Sequence, residues 1–127
     1  MILLDTAVFL DLVQDGPRMG PERYLVLRNE SAYALSDISF HELCGWLEEG
    51  KIDISMPWRT WIESACHHLR VLPVGITPAI AVRASRLQAP GLDRIDRMLA
   101  ATALELGMEL ATLNPGYRGV GGLRLLF

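Results

Sequence analysis

An α/β fold built on a mainly parallel sheet of four or five strands is predicted by two features of the 127-residue chain. Short apolar runs alternate with amphipathic helical stretches from one end to the other, and no internal repeat, low-complexity tract or linker interrupts them. The runs are three or four residues long and uncharged, as strands buried on both faces of a parallel sheet are. A chain of this length is one domain's worth, so residues 1–127 are expected to form a single unit.

The elements follow in order. Ile2-Leu3-Leu4 is the first strand, with Asp5 at its C-terminal end. Thr6 to Gln14 carries Val8, Phe9, Leu12 and Val13 at near-helical spacing, and Asp15-Gly16-Pro17 stops it. Pro21 to Asn29 is a second helix, and Tyr33 to Ser36 the second strand. Ser39-Phe40-His41-Glu42 has the S-x-x-E capping-box spacing, which predicts a helix closed by Gly50 with Glu42 in its first turn. Pro57 to Leu69 is helical, Val71 to Val74 a strand, and Thr77-Pro78 opens a helix to Leu87, followed by loop at Gln88 to Gly91. Asp93 to Leu106 is the clearest helix, Asp-capped and stopped by Gly107. Leu110 to Leu113 is a strand ending at Asn114, and Leu123 to Leu126 a last short one.

Composition narrows the function. Half the residues are apolar and 21% charged, which excludes disorder. The formal charge of -3 supplies no overall positive field, so a nucleic-acid partner must be gripped locally. Lys51 is the sole lysine and the other basic residues are arginines, suited to bidentate contact with phosphate. Cys44 and Cys66 make no disulfide framework, so a reducing compartment is the default. The N-terminus carries Asp5 and Asp11, lacks a basic region and has no apolar run of the ~20 residues that span a bilayer; a cytoplasmic protein without membrane contact is expected.

Three carboxylates fall at equivalent places: Asp5 after the first strand, Glu42 after the second, and Asp96 in the first turn of the Asp93 helix. In an open α/β sheet such points converge on one crevice. Two unit charges ~5 Å apart at an effective dielectric of ~20 repel by roughly 3 kcal/mol, a conflict that a cation resolves. With no His or Cys in the same places, the donors are hard oxygens suited to Mg²⁺ or Mn²⁺ and not to zinc. Such an ion lowers the pKa of a bound water and steadies a leaving alkoxide, so phosphodiester hydrolysis needs no protein nucleophile.

Each motif also has a plainer reading. Ser39 with Glu42, and Asp93 with Asp96, have the spacing of helix caps alone. Asp5 resists that reading, because a charge between an apolar strand and an apolar helix is costly to bury unpaired. Cys66-His67-His68 looks like a metal cluster, yet adjacent helical residues point ~100° apart. His41 faces away from Glu42 for the same reason, Gly119 to Gly122 reads as a turn, and Trp46, Trp58 and Trp61 read as core or interface. A phosphoacceptor receiver domain needs a lysine late in the chain, which is absent.

Together, MILLDTxV at the start, ALSxISxxEL at 34–43 and DRIDRMLAATALELG at 93–107 resemble the PIN-domain family, specifically its VapC-type toxin ribonucleases, over essentially the whole chain. The resemblance implies a three-layer α/β/α fold, Mg²⁺- or Mn²⁺-dependent endoribonuclease activity on RNA, a homodimer and a cognate antitoxin. By position, Asp5, Glu42 and Asp96 match the family's acidic metal ligands, with Thr6 and Asp93 placed to support them. Asn114 stands where the family commonly has a fourth acidic residue, which points to one bound ion rather than two. Arg94 and Arg97, with Arg83 and Arg86 nearby, are candidate RNA contacts. The alternative implied by Asn114 is a catalytically weakened module that binds RNA or a protein partner without cleaving.

Overall fold

The computed structural model describes all residues 1–127. In chain order the elements are β1 (Ile2–Leu4), α1 (Thr6–Val13), α2 (Gly20–Arg28), β2 (Tyr33–Ser36), α3 (Asp37–Glu48), α4 (Trp58–Leu69), β3 (Val71–Val74), α5 (Pro78–Arg86), α6 (Arg94–Leu106) and β4 (Glu109–Ala111), followed by a 3₁₀ turn at Pro115–Gly119. The four strands form one all-parallel sheet in the order β3-β2-β1-β4.

Strand alternation divides the core. Ile2 and Leu4 of β1, with Tyr33 and Leu35 of β2, point to one face and pack with Val8, Phe9 and Leu12 of α1, Leu43 of α3 and Leu69 of α4. Leu3, Ala34 and Leu110 point to the other and meet Ala100 and Ala103 of α6 with Tyr117 and Val120. Ile80 and Ala84 of α5 close on Ala101 of α6 outside that layer. Helices therefore cover both faces of the sheet, giving three layers. Burial on both sides is the reason the strands are uniformly apolar.

Two expectations are corrected. The apolar run Leu123–Leu126 forms no strand of the sheet; it makes a single parallel bridge, Leu125 to Leu110, so the sheet has four strands. An apolar run of that length does not by itself specify pairing. The strand expected at Leu110–Leu113 is Glu109–Ala111, and Thr112 lies just beyond its end. At α5 and α6 the sequence cues operate as read: Thr77 Oγ1 accepts from Ile80 N at 3.2 Å to cap α5, and Gly107 ends α6 with φ +64°. No helix is long and apolar enough to cross a membrane.

Candidate active site

The site is assembled by strand register. Leu4 of β1 lies opposite Ala111 of β4, so the residues that follow, Asp5 and Thr112, emerge side by side at the C-terminal edge of the sheet. The Thr112 hydroxyl donates to Asp5 Oδ2, while Asp5 Oδ1 caps α1 by accepting from Val8 N at 2.7 Å. Asp5 is 7% exposed. Burial, opposed by those two hydrogen bonds and reinforced by the charges of Asp96 and Glu42, pushes its pKa from 3.8 up to about 6.

Asp96 arrives from the opposite layer. Asp93 and Asp96 form a reciprocal capping box at the start of α6, with Asp96 N donating to Asp93 Oδ1 at 2.8 Å and Asp93 N to Asp96 Oδ2 at 3.3 Å. The cap leaves Asp96 free to reach inward: Tyr117 Oη donates to its Oδ1 at 3.0 Å and Asn114 Nδ2 to its Oδ2 at 3.5 Å. Burial raises the Asp96 carboxyl against the hydrogen bonds from Tyr117 and the Asp93 amide. Burial, together with the same carboxylates, pushes the Tyr117 phenol far above its ordinary value, fixing it as a donor.

Glu42 lies close to these groups but not for the reason its motif suggested. The cap of α3 is Ser36, whose Oγ accepts from Ile38 N at 3.2 Å, because β2 runs into the helix without a loop. Glu42 is thus in the second turn rather than the first. Ser39 is not a cap; it is buried within α3, and its Oγ accepts from Thr6 Oγ1 at 2.9 Å, fastening α3 to the start of α1. Burial raises the Glu42 carboxyl, the nearby Thr6 hydroxyl opposes the rise, and the charges of Asp93 and Asp96 add to it. Thr6 therefore joins elements around the site as well as steadying one of its carboxylates.

Asn114 has a defined job. Its Oδ1 caps the 3₁₀ turn by accepting from Gly116 N at 2.9 Å, and its own N–H donates to Thr112 Oγ1 at 3.0 Å. The carbonyl that an amide could turn toward a bound water is therefore engaged. Gly116 is held to glycine by crowding: an added Cβ would stand 2.9 Å from the Gly91 carbonyl oxygen and 3.1 Å from Asn114 Oδ1. This packing carries the chain from Thr112 to Tyr117 and delivers both hydroxyls to the carboxylates. Sequence reasoning missed Thr112, Tyr117 and the tie made by Ser39.

The donor chemistry fits a hard divalent cation. Asp5, Glu42 and Asp96 offer only oxygens, act on one another through their charges, and take part in none of the chain's ion pairs, which are Lys51–Glu49, Arg59–Glu63 and Arg83–Glu105. No three His, Cys, Asp or Glu side chains are gathered into a ready-made chelate, so the carboxylates share a field rather than a closed shell. Both oxygens of Asp5 and Oδ1 of Asp96 accept one protein hydrogen bond each, which orients them and leaves a second lone pair for a ligand, whereas Asp96 Oδ2 already accepts from Asp93 N and Asn114 Nδ2. Cys66-His67-His68 lies in the last turn of α4, away from these residues, with both imidazoles exposed; His41 is exposed as well.

A stability prediction follows from Asp5. Between pH about 4 and about 6 the folded chain binds more protons at Asp5 than the unfolded chain, so metal-free stability falls as pH rises through that window and then levels off. An Asp5→Asn chain keeps an acceptor for the α1 cap and loses the buried charge. In EDTA at neutral pH it is expected to be more stable than the parent, by about 3 kcal/mol at most, with the gap closing toward pH 4. Urea denaturation at the two pH values measures it.

Comparison with known proteins agrees with this architecture. The PIN domain family model matches residues 2–123. Ribonuclease VapC22 of Mycobacterium tuberculosis is 32% identical over 113 residues, spanning 87% of this chain and 85% of that protein. Among solved structures, VapBC2 from Rickettsia felis, bound to a DNA fragment from its promoter, superposes with a TM-score of 0.72 at 16% identity, covering 98% of this chain and 97% of that one. DNA-bound VapBC from Salmonella typhimurium gives 0.70 at 20% identity, covering 98% and 95%. At these identities the structural likeness speaks for the fold, and the family model and the relative speak for kinship. The chain belongs to the PIN-domain family and, within it, to the VapC-type proteins.

Proposed function

We propose that this chain is a metal-dependent endoribonuclease, the toxin of a toxin–antitoxin pair, and that residues 1–127 act as one catalytic domain. The observation that carries the reading is the burial of Asp5, a carboxylate 7% exposed, within the field of Asp96 and Glu42 and with no cationic side chain paired to any of them. A fold does not keep such a charge for stability, since burying it is costly. The VapC ribonuclease relative supports the activity, and the solved VapBC complexes support an antitoxin partner and a dimer.

Asp5, Asp96 and Glu42 would hold Mg²⁺ or Mn²⁺, which when bound supplies a water acidic enough to attack a phosphodiester and a counter-charge for the phosphoryl oxygens. The chain's own residues set the stage. Thr112 and Val8 N orient Asp5, and Tyr117 and Asn114 orient Asp96, so the two carboxylates are presented with their rotamers fixed. Thr6 ties α1 to α3 and keeps Glu42 beside them. Burial and the charges of Asp93 and Asp96 raise the Glu42 carboxyl above its ordinary range, which makes it a better proton acceptor than an exposed carboxylate.

A second reading has an observation in its favour. Residue 114 is an amide whose Oδ1 accepts from Gly116, so no fourth carboxylate completes the site, and a module that binds RNA or a protein without cleaving would look the same. One assay separates the two: single-stranded RNA incubated with purified chain and Mn²⁺ or Mg²⁺ should be cut internally, and EDTA should stop it. No cleavage together with no calorimetric heat of Mn²⁺ binding would favour the binding module.

A further inference from the structure

The face of α6 beside Asp96 opens into a groove that nothing in the acidic centre explains. It lies between α5 and α6, encloses about 540 Å³, and is lined by Ala81, Ala84, Ser85, Arg94, Arg97 and Met98. It runs on into a second depression of about 660 Å³ that shares Ser85 and Arg97 and adds Arg86 and Gln88. Arg86, Arg94 and Arg97 belong to none of the chain's ion pairs, whereas Arg83 on the same helix pair is bound to Glu105 at 3.0 Å. Arg94 and Arg97 are the first and fourth residues of α6, at the positive end of its dipole, where cations are disfavoured. Their charges are thus placed against helix electrostatics and left without a partner.

We infer that this groove is the subsite that holds the RNA strand on one side of the bond to be cut; the inference rests on the ribonuclease reading and adds the strand's path. At ~100° per helical residue Arg97 points about a quarter turn and Arg94 nearly half a turn round α6 from Asp96, so a strand gripped in the groove passes round the first turn of α6 to reach the acidic centre. Ala81 and Ala84 bring no bulk to the floor and leave room for a base. The guanidinium plane suits both tasks, bidentate contact with phosphate and stacking on a base. Ser85 offers a hydroxyl between the two depressions. The grip is local, as a chain of net charge -3 requires.

The test measures binding without cleavage. A fluorescent single-stranded RNA of about twelve nucleotides is titrated in EDTA with the full chain, and anisotropy gives affinity between about 50 and 200 mM salt. An R94Q/R97Q chain is expected to bind roughly tenfold more weakly, with the salt slope reduced by about 1.4, at ~0.7 for each phosphate no longer neutralised by an arginine. Arg94→Lys with Arg97→Lys should restore most of the slope and guard against a folding defect, and Arg59→Gln, far from the groove and paired with Glu63, should change nothing. An unchanged slope in R94Q/R97Q, an equal loss in Arg59→Gln, or a change of molar mass by light scattering in R94Q/R97Q would overturn the subsite. If the chain fails to cut RNA with Mn²⁺ while the slope difference stands, the ribonuclease reading falls and the groove remains an RNA site.

Discussion

An Asp96→Asn chain is expected to lose RNA cleavage by on the order of 10³-fold while remaining folded. Asparagine has the shape of aspartate, and its carbonyl oxygen can still accept from the Asp93 amide or from Tyr117. What disappears is the charge, together with one of the two oxygens that Tyr117, Asn114 and Asp93 hold in place. A group that contributes only a cap would tolerate this with a stability change of about 1 kcal/mol and no kinetic effect. The expected result is therefore a selective loss: cleavage of single-stranded RNA in Mn²⁺ falls to background, and circular dichroism and thermal denaturation stay close to the parent. Retention of more than a tenth of the rate would remove Asp96 from the chemistry and leave it as half of a capping box.

Asp11 is expected to behave in the opposite way, although it too is a buried carboxylate near the N-terminus. It is 2% exposed, and its two oxygens accept the backbone amides of Arg18 and Met19, each at 2.9 Å. Those amides lead into α2, whose N-cap, Met19, has no side-chain hydrogen bond of its own. Asp11 thus caps α2 from across the loop, and Met19 packs into the core beside it. Asp11→Ala would leave a buried donor without a partner and open a space, costing about 3 kcal/mol, or roughly a 10 °C fall in Tm. Asp11→Asn should lose about half as much. The specific activity of the folded fraction should survive, since Asp11 does not touch the site. Asp5→Asn and Asp11→Ala are therefore expected to move metal-free stability in opposite directions, which distinguishes a charge kept for function from one kept for structure.

The parts of the fold legible in the sequence are those set by local patterns. The strands β1, β2 and β3 are readable because uncharged apolar runs of that length suit a sheet buried on both faces. Asp5 and Asp96 are legible because each sits at a junction, one closing a strand and one in the first turn of a capped helix. Glu42 reaches the site by a different route from its S-x-x-E spacing; the real cap is Ser36, three residues before Ser39, where β2 joins α3 without a loop. Thr112 and Tyr117 are not legible. Their contacts with Asp5 and Asp96 span 107 and 21 residues, and nothing periodic marks a hydroxyl that will face a distant carboxylate. Asp11 is hidden for a related reason, since a lone acid near the end of an amphipathic helix looks like a solvated face until the following loop folds back on it. The tail at Leu123–Leu126 has the composition of a strand but meets only the edge of β4.

The central claim is that Asp5, Glu42 and Asp96 gather around one divalent ion, and anomalous diffraction from Mn²⁺-soaked crystals tests it most directly. One manganese peak is expected, with carboxylate oxygens from at least two of the three residues at about 2.1 Å and waters filling the remaining positions. The peak should vanish in crystals of the Asp5→Asn chain. Manganese bound elsewhere, or none at a concentration that supports RNA cleavage, would contradict the account.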